Sequence, residues 1–238
     1  MFDLFERILQ AQPAPPVLTI VGTAAVALFV VAYRPSWRVS RNLITIAHEG
    51  GHALAAVCSG RRLRGIRLHS DTSGLTLSRG KRTGLGMVVT LAAGYLAPSL
   101  LGVGGAALLA SGRITLLLWI SIVLIALMLV MIRNVFGVLS IVVTGAILFG
   151  VSWYADAKWQ ALFAYTAVWF LLFGGVRPLF ELARQRRRGL ARNSDPDQLA
   201  GVTPAPAGLW LAFFLVVCVG SLAAGGVLLG LVPTTVGV

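Results

Sequence analysis

The chain has three histidines and eight Asp+Glu in 238 residues, yet His48, Glu49 and His52 fall within five positions of one another. They lie in TIAHEGGHALAAV, residues 45–57, a segment otherwise suited to a lipid-facing or core helix. Ionisable side chains inside an apolar segment are costly and mark function by default. On a helix, residues four apart differ by about 40° in direction, so His48 and His52 face the same way. Two imidazoles one turn apart suit two ligands of a tetrahedral zinc. Glu49, offset by one position, can reach a water at that metal without ligating it, the division of labour of the H-E-x-x-H pattern. Gly50 and Gly51 add no side chain, so another helix or a substrate can come close. The competing reading is a polar cluster that holds helices together through hydrogen bonds.

The elements that must position this cluster are membrane helices. Hydrophobic residues make up 57% of the chain and charged ones 12%, half the roughly 25% of a soluble domain, and the mean hydropathy is +0.86. Apolar runs long enough to span a bilayer recur. The pattern predicts an all-α polytopic membrane protein with about seven transmembrane helices, near 17–33, 40–58, 84–110, 114–132, 135–153, 159–176 and 208–231. The cluster falls in the second. A short β-hairpin follows it over 64–79, with strands near Arg64–Ser70 and Leu75–Arg79 around Asp71-Thr72-Ser73-Gly74. Residues 1–12 read as an interfacial helix, with Phe2, Phe5 and Leu9 on one face, and 177–207 as a cytoplasmic segment. The whole chain, 1–238, is one domain. Cys58 and Cys218 lie in or beside apolar runs and read as packing thiols.

The balance of 20 Lys+Arg against 8 Asp+Glu does not indicate nucleic acid, because the charges cluster between apolar runs. With seven spans, fifteen of the twenty cations fall on the side of the amino terminus and the 59–83 loop. The positive-inside rule then places the amino terminus in the cytoplasm of a bacterial plasma membrane and the carboxyl terminus outside. Arg184-Gln185-Arg186-Arg187-Arg188 suits anionic lipid headgroups.

A catalytic zinc needs a third protein ligand beside an open position. Asp3 and Glu6 belong to the terminal helix, Asp71 to the hairpin turn, Asp156 to the far side, and Glu181 lies among arginines. Asp195 and Asp197 of NSDPDQLAGVTPAP remain. To reach the histidines this stretch must dip into the membrane, where irregular backbone persists only under cover of protein or beside a wet cavity. The alternative for this stretch is a solvated linker with an N-cap aspartate.

With His48-Glu49-Gly50-Gly51-His52 in the second span, IRLHSDTSGLTLSRG and AGYLAP after it, and Ser194-Asp195 before the last span, the chain resembles the site-2 protease family of intramembrane zinc metalloproteases. It looks most like the small bacterial, B-type members. The resemblance implies His48, His52 and one aspartate as ligands of Zn2+, Glu49 as general base, and a transmembrane protein as substrate. It favours Asp195 as third ligand, with Asp197 second; the Asp-Gly of well-studied members does not occur. The resemblance offers Asn134 as a replacement for the family's substrate-orienting asparagine, with a helix-terminal residue as the preferred reading. The hairpin could offer an edge to an extended substrate. A metal-binding membrane scaffold or regulator without turnover is the alternative function. A transporter would show internal repeats, and none is evident.

Overall fold

The computed structural model describes residue 6, residues 8–190 and residues 193–231. Half of the interfacial helix expected over 1–12, residues 1–5 and 7, lies outside the described residues. Helix α1 spans Val17–Ala32 and α2 spans Arg34–Cys58. The chain breaks at Tyr33, whose backbone is extended. Pro35 is tolerated only in the first turn of a helix, so it starts α2 rather than continuing α1. The Ser36 hydroxyl donates to the carbonyls of Val30 and Tyr33 at 2.8 and 2.9 Å, satisfying acceptors left free at the end of α1. The two axes meet at 99°.

Strands β1 (Arg62–Leu68) and β2 (Gly74–Arg79) follow as an antiparallel hairpin, pairing Ile66 with Thr76 and Leu68 with Gly74. Both begin within two residues of the expected positions. The register shifts between Leu63 and Gly65. Gly65 has φ +152°, and a Cβ there would run into the Arg133 side chain, so this bulge needs glycine. Then come α3 (Leu85–Ala110), α4 (Ile114–Met131), α5 (Val135–Tyr154), α6 (Ala157–Arg187), the short α7 (Asp195–Val202) and α8 (Ala207–Leu228).

Among the described residues, five helices are long and apolar enough to cross a membrane: α3, α4, α5, α6 and α8. The bent pair α1 and α2 makes a sixth passage if taken as one broken span. The expectation of about seven counts those two separately. The Gln12 amide donates to the Gly112 carbonyl at 2.9 Å, its side chain donates to Thr115 at 2.7 Å, and Thr115 donates to Gln160. The amino-terminal segment therefore lies at the end of the bundle formed by the α3–α4 and α5–α6 turns. The hairpin, the α4–α5 link and α7 form the other end. Leu229, past α8, packs in one cluster with Ile20 and Ala24 of α1. Gln12 and Leu229 thus lie toward the end of the bundle away from the hairpin. The break at Tyr33 lets α1 and α2 be taken as one broken span where hydropathy reads two.

The link Ile132-Arg133-Asn134 joins α4 to α5 with almost no loop because it serves as an edge for the hairpin. Ile132 bridges Ile66 in parallel, and the Arg133 amide donates to the Ile66 carbonyl at 2.9 Å. Asn134 accepts from the Leu68 amide at 3.1 Å and donates to the Leu68 carbonyl at 2.6 Å. Ile66, Leu68, Ile132 and Ile141 form a small apolar core with Ile46 and Ala53 of α2, tying the hairpin to the helix that carries the histidines.

Candidate metal centre

Glycines allow α2 into the centre of the bundle. A Cβ on Gly51 would strike the Ala97 methyl and lie 2.7 Å from the Ala93 carbonyl oxygen of α3, and one on Gly50 would lie 3.1 Å from the Met128 sulfur of α4. Such small-residue contacts are how membrane helices come close without a hydrophobic drive between them. On this crossing, His48 and His52 point their Nε2 atoms at each other, 3.1 Å apart. The His52 Nδ1 lies 2.7 Å from the Thr90 carbonyl of α3. A carbonyl only accepts, so Nδ1 carries the proton and Nε2 presents its lone pair, the tautomer a metal requires.

Asp195, first residue of α7, brings Oδ2 to 3.3 Å from each Nε2. Among the described residues, His48, His52 and Asp195 are the group of three that could hold a metal ion. Ligands about 2.0–2.1 Å from a tetrahedral zinc sit roughly 3.3–3.4 Å from one another. The three donors match that spacing and the charge preference of the ion. Gly94 of α3 makes the room: a Cβ there would overlap His52 Nε2 and lie 2.8 Å from His48 Cε1. Tyr95 meets the His48 ring edge-on, centroids 4.8 Å apart, and stacks on Phe214 of α8.

In comparison with known proteins, residues 21–225 match the family described as Peptidase M50B-like. The chain belongs to that family. It is a membrane metalloprotease in its general class, with a multi-pass helical body and its match running from α1 into α8. No curated protein and no solved structure matches the chain.

Within this peptidase, Glu49 is 4% exposed and lies beneath β2. Thr76 donates to its Oε2 at 2.6 Å and also reaches the Glu49 carbonyl at 3.2 Å. A Cβ on Gly74 would come within 2.5 Å of Glu49 Cγ and Oε1, so the strand rests directly on the carboxylate. Thr45 of α2 donates to the Thr72 carbonyl at 2.7 Å, fastening the hairpin turn one helical turn from His48.

The two candidate aspartates take separate roles. Asp197 accepts from the Ser194 amide at 3.2 Å and hydroxyl at 2.6 Å, closing a capping box on α7, and pairs with Arg186. It is thereby turned away from the histidines, and Asp195 alone of the two joins them. Pro196 and Leu199 are buried, so one face of α7 packs against the bundle. Asn134 spends its amide on Leu68 and bears on the site through β1. His69 stays on the exposed hairpin turn, 3.3 Å from the Ser73 hydroxyl. Glu181 is held by Arg177 and Trp37. Sequence reasoning missed Thr76, Thr90 and the spacing role of Gly94. Thr76 was hidden because apolar alternation in β2 points Leu75 and Leu77 inward, whereas the structure exposes both leucines and covers Thr76. Thr90 acts through its backbone, which leaves no signal in residue type.

Proposed function

We propose that the protein is a zinc-dependent intramembrane endopeptidase that cuts a peptide bond in or near a transmembrane segment of another protein. The observation that carries this reading is the convergence of His48, His52 and Asp195 at the spacing of one tetrahedral ion, with Glu49 buried one position away. Zinc held by these three would act as a Lewis acid toward the scissile carbonyl and lower the pKa of the attacking water. Glu49 is the general base: it takes the proton of that water and returns it to the leaving nitrogen. Thr76 fixes the Glu49 carboxylate, and Thr90 fixes the His52 tautomer. Asp195 offsets cationic charge in a site where unpaired charge is expensive.

A helical substrate hides its peptide groups in its own hydrogen bonds and must unwind to react. The outer edge of β1 is taken by 132–134, whereas β2 makes no backbone hydrogen bond outside the hairpin among the described residues. β2 is therefore the edge on which an unwound segment would pair by strand addition. The hairpin end of the bundle carries the Lys+Arg of 61–82, Arg133 and the 184–188 run, against Arg113 and Lys158 at the other. The positive-inside rule then puts the hairpin and the active site at the cytoplasmic face of a bacterial plasma membrane, with both described ends of the chain outside.

The test is metal content of the purified protein, followed by cleavage of a verified substrate. About one zinc per chain, lost in H52A and D195A and kept in E49Q, with cleavage abolished by E49Q, is the expected result. Folded protein that holds no metal when zinc is supplied would favour a structural role. Cleavage retained by E49Q would remove Glu49 as the base.

A further inference from the structure

A cavity of about 540 Å³ lies at the far end of β2, lined by Ser78 and Arg79 of that strand, Arg61, Arg82, Met87 of α3, and Gln198 and Val202 of α7. One wall is therefore the strand that covers Glu49, and the other is the helix that begins with Asp195. The cleft so formed is basic, and it shares β2 and α7 with the candidate metal centre. From Gly74, over Glu49, to Arg79 is five residues, about 17 Å of extended chain. Arg61 is held in place, donating from Nε to the Ser78 hydroxyl at 3.1 Å and from its guanidinium to the Lys81 carbonyl. Among the described residues, none of Arg61, Arg79 and Arg82 has an acidic partner, although ion pairs occupy Arg41, Arg177 and Arg186.

We infer that this chamber is a specificity subsite for acidic side chains of the substrate, roughly three to five residues from the scissile bond on the cytoplasmic side. The inference rests on the peptidase reading and extends it to substrate class. A strand paired along β2 with its reacting bond near Glu49 carries its flank into the chamber. Three guanidiniums there favour carboxylates, while Met87 and Val202 cover the apolar parts of the same residues. A substrate with a basic flank meets like charge and is disfavoured, which is how specificity against wrong partners arises. An anionic lipid headgroup is the rival occupant. It is disfavoured because the chamber continues the open edge of β2 toward the active site.

The experiment uses full-length E49Q protein loaded with zinc, in nanodiscs of zwitterionic lipid, and two labelled synthetic peptides. Both carry the same apolar segment, one followed by Asp-Glu-Asp and the other by Asn-Gln-Asn. Fluorescence anisotropy should show the acidic peptide binding about tenfold tighter, the size that two or three solvent-edge ion pairs supply. The preference should shrink with salt and disappear in E49Q/R79Q/R82Q, two exposed positions whose change leaves the fold intact. Equal binding of the two peptides, no binding of the acidic one, or a preference that survives the arginine changes overturns the inference. So does a preference abolished when the nanodisc contains phosphatidylglycerol, since the chamber would then belong to lipid. Cleavage by zinc-loaded wild type, run in parallel, separates the two readings. Equal cleavage and equal binding of both peptides defeats the subsite and leaves the peptidase, whereas arginine-dependent binding without cleavage supports the subsite and counts against the peptidase.

Discussion

Replacing Gly94 with alanine tests whether the room around the imidazoles makes the metal centre. The added Cβ would overlap His52 Nε2, lie 2.5 Å from His52 Cε1 and lie 2.8 Å from His48 Cε1. Ordinary carbon contacts begin near ~3.5 Å, so the His52 ring must withdraw by about 1 Å. It cannot do so while keeping both its Nδ1 bond to Thr90 and its Nε2 at the shared point. A misplacement of that size at a reacting centre costs about a hundredfold, or ~3 kcal/mol. The expected result for G94A is a zinc affinity lower by about that factor, measured by competition with a chelator of known affinity, with helical circular dichroism unchanged. A Cβ added at Gly104 of the same helix would meet nothing within 4 Å, so G104A is the control and should bind zinc as wild type does. G94A with wild-type zinc affinity would refute the argument that His48, His52 and the α3 backbone together form the metal site.

Other changes separate chemistry from scaffolding. T76V removes the donor that holds Glu49 Oε2 and should lower kcat by about tenfold, in line with a hydrogen bond to a charged group; T76S should restore most of it, and steady-state cleavage reads both. D195A should lose zinc, whereas D197A should keep one zinc per chain and cost about 1 kcal/mol through its capping box, read as metal content beside thermal unfolding. N134A leaves the Leu68 amide and carbonyl without partners and should raise hydrogen exchange across 62–79, with the metal retained. A cysteine at position 12 should label from the same side of sealed vesicles as one at 112, and from the opposite side to one at 80; labelling of 12 with 80 would reject the six-passage topology.

Much of this site was legible in the chain because it is local. A separation of four residues fixes the relative direction of His48 and His52 on any helix, and an apolar setting removes solvation as an excuse for their presence. The scarcity of acidic residues narrowed the third ligand to Asp195 or Asp197 without structure. Alternation placed the hairpin to within two residues, with Ile66 and Leu68 of β1 on its buried face, although in β2 the polar face, not Leu75 and Leu77, is the covered one. What the sequence could not decide was set by contacts between distant segments. Asp195 differs from Asp197 only in where α7 docks, since Ser194 and Arg186 hold one carboxylate while the other faces the histidines. Whether α1 and α2 make one passage or two turns on a bend at Tyr33 that hydropathy does not register, because a broken span and two spans have the same apolar content. Thr90 positions His52 with a backbone carbonyl, a group every residue carries, so only the packing of α3 on α2 could reveal it. Residue type fixes which groups can do chemistry, and the meeting of remote backbone and side chains fixes which of them do.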